Sequence, residues 1–181
     1  MKLFIRILIG IGLTLLFIIL TVFDIADRTI FYSRAIPNNE IKEFHMFKNI
    51  DEEKEAYQRN YSNSKYLFPR EVVKKAILYK NQLFISRLTS ENLTENEMHQ
   101  IIDLFNDPTN FDWDETTWSI QESEYILRFF NSKGKEVRKV WVCLEDCGML
   151  ESIPFAPTMK FGALSMKGRE ELPELINEIL K

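Results

Sequence analysis

The sequence predicts an α+β protein, in which an N-terminal transmembrane helix precedes a small, mainly antiparallel sheet with helices packed on one face. Three observations predict this class. An uncharged apolar run lies near the N-terminus, strand-length apolar runs follow turn residues, and two amphipathic helical patterns occur without a βαβ alternation. The 181 residues are 45% hydrophobic and 28% charged, which is typical of a folded protein.

The first element is the apolar run 7–23, which follows Lys2 and Arg6. As a helix it spans about 25 Å, near the lower limit for crossing a hydrocarbon core. A cleaved signal peptide and a buried helix are the alternatives. The best cleavage site lies after Ala26 and places the charged Asp24 at the minus-three position, which is unfavourable for cleavage. We therefore predict a retained single-pass signal anchor.

The charges that flank this run predict the topology. Lys2 and Arg6 precede it, whereas Asp24 and Asp27 follow it, so the N-terminus is expected in the cytoplasm and the rest in the periplasm or outside the cell. Acidic residues outnumber basic ones by 27 to 23, which argues against a nucleic-acid partner. The predicted partners are the lipid bilayer, through residues 7–23, and an unidentified envelope protein or polymer.

Three regions are predicted along the chain: a transmembrane anchor over 1–23, a juxtamembrane stalk over 24–68, and a globular α+β domain over 69–181. The stalk is the least regular stretch, and the pattern sharpens from Pro69 onward. Residues 76–80 and 83–88 then form apolar runs of strand length, which indicate a hairpin, although 72–88 could also be one helix.

The strongest local signal is a capping box, in which Thr94 precedes Glu97 by three positions. Apolar residues recur behind it at helical spacing, and Asp107-Pro108 ends the pattern. A second hairpin is predicted from 125–130 and 137–143, with Gly134 in the turn. An apolar stripe then predicts a terminal helix that Ser165 or Gly168 opens. The members of that stripe are Leu172, Leu175, Ile176, Ile179 and Leu180.

Cys143 and Cys147 are the only cysteines, and they lie where the last predicted strand ends. In an exported domain two nearby cysteines most often form a structural disulfide. Two unpaired thiols are an alternative, and so is a thiol or metal site, which His45 and His99 would complete only if the fold brought both close. The C-x3-C spacing differs from the C-x-x-C of thiol oxidoreductases, and one cysteine pair cannot complete a zinc site. We predict the disulfide, with no metal and no cofactor.

A calcium-like pattern occurs in the loop that follows the predicted helix capped by Thr94. Asn110, Asp112 and Asp114 alternate like the first three ligands of a calcium loop. The pattern fails further on, because Glu115 takes the place of the required glycine and Gln121 that of the closing glutamate. The sequence therefore predicts a solvated acidic loop.

Aromatic residues in the same loop suggest a binding surface. Phe111, Trp113 and Trp118 alternate with polar neighbours, as exposed aromatic residues do at recognition sites. Packing in the core is the alternative for these side chains.

The stretch 94–180 resembles a group of small envelope proteins and lipoproteins of bacteria that have no assigned activity. The matching features are the helix end Leu104-Phe-Asn-Asp-Pro-Thr-Asn-Phe111, the turn Asn131-Ser-Lys-Gly134, the strand end Cys143 to Cys147, and residues 160–168. The resemblance implies an envelope location and a small α+β domain. This chain departs from the group by having a long apolar helix in place of a lipobox cysteine.

None of the common catalytic motifs, G-x-S-x-G, H-E-x-x-H or a Walker loop, occurs in the sequence. We therefore predict no catalytic residue, and we expect a membrane-anchored extracytoplasmic interaction or accessory module of unknown ligand. The alternative is a thiol- or metal-dependent envelope enzyme centred on Cys143 and Cys147.

Overall fold

The computed structural model describes residues 2–29, 52, 55, 63, 67–81, 89–113, 123–145, 147–153, 156, 158–159 and 163–181. Within the first helix, side chains are described from Phe4 to Ile19.

The first helix, α1 (Lys2–Thr29), continues past the predicted end at residue 23. Its apolar side chains between Phe4 and Ile19 are exposed. Crossing a hydrocarbon core takes about 20 predominantly apolar residues in one helix. In the described part of the chain, no helix combines that length with sufficient apolarity. The predicted transmembrane helix is therefore wrong, and contact of residues 7–23 with a lipid bilayer stays a prediction.

The remaining described residues form a mostly antiparallel sheet with helices, which confirms the α+β part of the predicted fold. The main sheet has the strand order β2-β1-β4-β5-β6, and β3 pairs with β7 separately. All described strand pairs are antiparallel. The strands are β1 (Lys75–Lys80), β2 (Ser90–Asn92), β3 (Phe111–Asp112), β4 (Tyr125–Phe130), β5 (Glu136–Cys143), β6 (Met149–Ile153) and β7 (Ala163–Leu164).

The second helix, α2 (Glu95–Asn106), begins as the sequence predicts. The Thr94 hydroxyl accepts a hydrogen bond from the Glu97 N–H at 3.3 Å, and the Glu97 carboxylate accepts one from the Thr94 N–H at 2.6 Å. This capping box satisfies amides that have no partner inside the helix. A short 3-10 helix, Pro108–Asn110, follows, and α3 (Met166–Ile179) ends the fold, with Ser165 as its N-cap.

One face of the main sheet packs against α2 and α3. Alternate strand residues such as Leu78, Leu127 and Val140 are fully buried and belong to the same apolar cluster as Phe105 and Leu172 of the two helices. The opposite face holds a smaller cluster around Trp141 and Cys143. Because strand side chains alternate between faces, the apolar residues on both faces keep the central strands buried.

The second predicted hairpin is confirmed. β4 pairs with β5, and the side chain of Asn131 closes the turn by accepting hydrogen bonds from the N–H groups of Lys133 and Lys135, at 3.0 and 3.1 Å. Gly134 has a φ of 73°, a conformation that glycine adopts without a steric penalty.

The strand predicted at 76–80 is present as β1, which pairs with β2 and β4. The second arm of the first predicted hairpin, 83–88, lies outside the described residues. The strand that carries Cys143 is not the last one, because β6 and β7 follow it and β6 continues the sheet. The core also includes Phe68, whose ring lies 5.1 Å from that of Phe129.

Candidate functional site

A groove of about 470 Å³ lies between α2 and α3. It is lined by Gln100, Asp103, Leu104, Asp107, Asn110, Glu171, Glu174, Leu175 and Glu178. The carboxylates come from two stripes at helical spacing. Asp103 and Asp107 are four positions apart, and Glu171, Glu174 and Glu178 recur at three and four positions along α3. The two stripes make this groove strongly acidic.

The buried residues of the groove differ from its exposed residues. Leu104 and Leu175 are buried and belong to the main core cluster, so they supply apolar surface. Asp103, Glu174 and Glu178 are exposed. None of these three carboxylates has an ion-pair partner among the described residues. The described residues of the groove therefore combine two buried leucines with an acidic rim.

One ammonium group already interacts with the acidic groove. Lys167 Nζ donates to Asp107 Oδ2 at 2.6 Å and to Thr109 Oγ1 at 3.0 Å, and it lies 3.8 Å from Glu171 Oε1. The hydrogen bond from Lys167 holds the pKa of the Asp107 carboxyl below its ordinary value of 3.8, and bonds from Thr109 act in the same direction. The same pair raises the pKa of Lys167.

Asn110 lies at the base of the groove and is 1% exposed. Its side-chain Nδ2 donates to the carbonyl of Leu104 at 3.1 Å, which fixes the orientation of the amide. Its side-chain Oδ1 has no hydrogen-bond partner among the described residues. An unsatisfied buried acceptor costs about 1–3 kcal/mol, and this oxygen itself has less than 1 Å² of accessible surface.

The backbone of Asn110 joins α2 to α3. Its carbonyl accepts a hydrogen bond from the Ser165 N–H at 2.9 Å, and the Ser165 hydroxyl donates to the Thr109 carbonyl at 2.7 Å. A Cβ on Gly168 would collide with the Asn110 carbonyl oxygen. The absence of a side chain at Gly168 therefore lets the two backbones meet.

Two of the three residues of the predicted aromatic surface are buried. Phe111 and Trp113 are 4% and 6% exposed, and both belong to the main core cluster. Trp118 lies outside the described residues. Burial of the first two side chains agrees with the core-packing alternative, and a role of the three residues in binding stays a prediction.

Cys143 and Cys147 form a disulfide, with their Cα atoms 5.7 Å apart, as the sequence predicts. The loop that they close is held by Glu124, whose carboxylate accepts from the N–H groups of Leu144 and Glu145 at 2.7 and 3.4 Å. The carbonyl of Gly148, the residue after Cys147, accepts a hydrogen bond from the Leu164 N–H at 2.7 Å. The disulfide thus braces the connection from β5 to β6.

Two of the three calcium-like residues lie in the described part of the chain. Asn110 is buried with its amide bonded to Leu104, Asp112 is in β3, and Asp114 lies outside the described residues. The described residues hold no group of three or more histidine, cysteine or acidic side chains arranged to bind a metal.

Sequence reasoning missed this groove. Each side of the groove has a pattern in the sequence. Gln100, Asp103 and Asp107 recur at helical spacing, and so do Glu171, Glu174 and Glu178. Nothing in either stripe indicates that the other lies across from it.

Comparison of the chain with protein-family models, with curated proteins and with solved structures gives no match. The resemblance to small bacterial envelope proteins therefore stays a prediction.

Gly168→Ala is expected to lower the free energy of unfolding by about 1–2 kcal/mol, because the clash with the Asn110 carbonyl outweighs the better helix propensity of alanine. Urea denaturation followed by tryptophan fluorescence measures the change. Gly10→Ala in α1 is the matched control, since nothing lies within 4 Å of the added Cβ there. Equal stability of Gly168→Ala and the wild type would contradict a rigid junction.

Lys167→Met is expected to raise the pKa of Asp107 toward 3.8, because the main hydrogen bond that lowers it is lost. A carboxyl titration by NMR measures this shift. Since folding lowers the Asp107 pKa, its contribution to stability is complete above about pH 4 and is lost as the pH falls through the folded pKa. The stability difference between wild type and variant should therefore shrink in acid. Lys133→Met, on the exposed β4–β5 turn, should leave the Asp107 titration unchanged.

Proposed function

We propose that this chain is an interaction module that lies outside the cytoplasm and binds a basic segment of a partner protein in the groove between α2 and α3. The observation that carries the proposal is the convergence of five carboxylates on one groove, of which Lys167 contacts two, Asp107 and Glu171. Like charges held together favour association with an oppositely charged partner, and they speed its approach.

The disulfide supports the proposed location. Disulfides persist in oxidising compartments and are rare in the cytosol, where thiols are kept reduced. Cys143 and Cys147 close a short loop that is also hydrogen-bonded to Glu124, so the bond has a structural role in joining β5 to β6.

The alternative function, a thiol- or metal-dependent enzyme at Cys143 and Cys147, has no observation in its favour. Both sulfur atoms belong to the disulfide, so neither is available as a thiolate nucleophile or metal ligand in this state.

Labelling of Cys143 and Cys147 in intact cells with a membrane-impermeant maleimide tests the location. We expect labelling only after addition of an external reductant, because the disulfide blocks both sulfur atoms and the domain is outside the cytoplasm. A Cys143→Ser, Cys147→Ser variant controls for background. Labelling that requires permeabilised cells would overturn the proposed location.

Photo-crosslinking from the groove tests the binding function. A photoreactive amino acid at position 174, inside the groove, is expected to capture a partner through a lysine- or arginine-containing segment identified by mass spectrometry. The matched control is position 170, which is exposed on the same helix and does not line the groove. Capture should decrease with salt, because exposed charges are screened.

Two results decide between binding and chance contact. Capture from position 174 should be lost when Glu171 and Glu178 are both changed to glutamine, a change that leaves the shape of the groove nearly constant. Identical products from positions 174 and 170, or capture that ignores both the charge change and the salt, would show that the groove does not bind a basic partner.

A further inference from the structure

The two cysteines of the disulfide differ in their exposure to solvent. Cys143 is 2% exposed and belongs to the apolar cluster around Trp141, whereas Cys147 is half-buried and packs against that cluster. Thiol–disulfide exchange begins when a thiolate attacks one of the two sulfur atoms, and its rate depends on access to the sulfur that is attacked. A reagent in solution therefore reaches Cys147 more readily than Cys143.

Contacts other than the disulfide hold both ends of the β5–β6 connection. The two strands are paired as far as Cys143 and Met149. Just beyond the first cysteine, the Glu124 carboxylate accepts a hydrogen bond from the Leu144 N–H at 2.7 Å. At the other end, the Gly148 carbonyl accepts one from the backbone of β7 at 2.7 Å. Since none of these bonds involves a sulfur atom, we expect the chain to stay folded when the S–S bond is open.

The backbone also keeps the two sulfur atoms within reach of each other. The Cα atoms of Cys143 and Cys147 are 5.7 Å apart, inside the range of about 4.4–6.8 Å that a disulfide needs. A thiol at Cys143 is therefore placed to attack a group that is attached to Cys147. Such an attack within one molecule is faster than the attack of a second reagent from solution, because no second encounter is needed.

We propose that this disulfide forms and opens through Cys147, which exchanges with external thiols and disulfides, while Cys143 is the resolving residue that attacks Cys147 from the buried side. The site thus takes one class of reagent, a thiol or its disulfide, and takes it at one sulfur atom. This inference concerns the β5–β6 connection and is independent of the acidic groove.

The exchange balances in both directions. In the forming direction, the Cys147 thiolate attacks a disulfide RS–SR, so that a Cys147–SR bond forms and one RS⁻ leaves. The Cys143 thiolate then attacks the Cys147 sulfur and expels the second RS⁻. The chain loses two protons and two electrons, and the reagent becomes two RSH. In the opening direction, an external thiolate attacks the Cys147 sulfur and Cys143 leaves as the thiolate, which takes a proton from solvent.

Pulse alkylation of the reduced wild-type chain tests which sulfur is reached first. The full chain is kept in a non-ionic detergent, reduced, and treated briefly with limiting N-ethylmaleimide, and peptide mass spectrometry locates the label. We expect Cys147 to be modified at least about tenfold faster than Cys143, because a buried thiol reacts only when the structure around it opens. In urea the two rates should become equal, which controls for intrinsic reactivity.

Single variants and glutathione disulfide test the order of the steps. Reduced Cys143→Ser is expected to form a lasting glutathione adduct at Cys147, and reduced Cys147→Ser to form its adduct at least about tenfold more slowly. The reduced wild type should instead end as the internal disulfide, with two glutathione molecules released for each chain, because Cys143 displaces the adduct.

The pulse alkylation compares both cysteines in one molecule, so its result does not depend on whether a variant folds. Equal labelling of the two cysteines in the folded wild type, or faster labelling of Cys143, would overturn the assignment of Cys147. A wild-type chain that retains glutathione on Cys147 would overturn the resolving role of Cys143.

Discussion

The carbonyl of Asn110 is the contact on which the arrangement of the two helices depends. It accepts a hydrogen bond from Ser165 and occupies the space that a side chain at Gly168 would need. The turn after α2 therefore meets the first turn of α3 backbone to backbone. Leu104 and Leu175 line the groove between the two helices, and Asn110, which also lines it, is 1% exposed.

The junction at Asn110 places acidic residues that are distant in sequence on the same groove. Among the five carboxylates of the groove, Lys167 contacts Asp107 and Glu171. Attraction between the remaining exposed carboxylates and a cationic partner is the physical basis of the proposed function.

Local patterns predicted the elements whose stabilising contacts are close in sequence. The capping box of Thr94 and Glu97 and the Asn131 turn are satisfied within a few residues. The transmembrane helix was inferred from one local apolar run, and no described helix is both long and apolar enough to cross a membrane. Pairings between remote segments had no local signal: β2 pairs with β1, and Phe111 pairs with Leu164 of β7.

The sequence by itself determined the mixed class, the capped helix α2, the β4–β5 hairpin and the link between Cys143 and Cys147, because each follows from residues that meet along a short stretch of chain. Only the tertiary structure decided that α2 faces α3, that Asn110 is buried with no described partner for its side-chain oxygen, and that the acidic stripes share one groove. These features depend on contacts between segments more than 50 residues apart, such as Thr109 with Ser165. Such contacts form because the whole core closes, and no local periodicity specifies which faces will then meet.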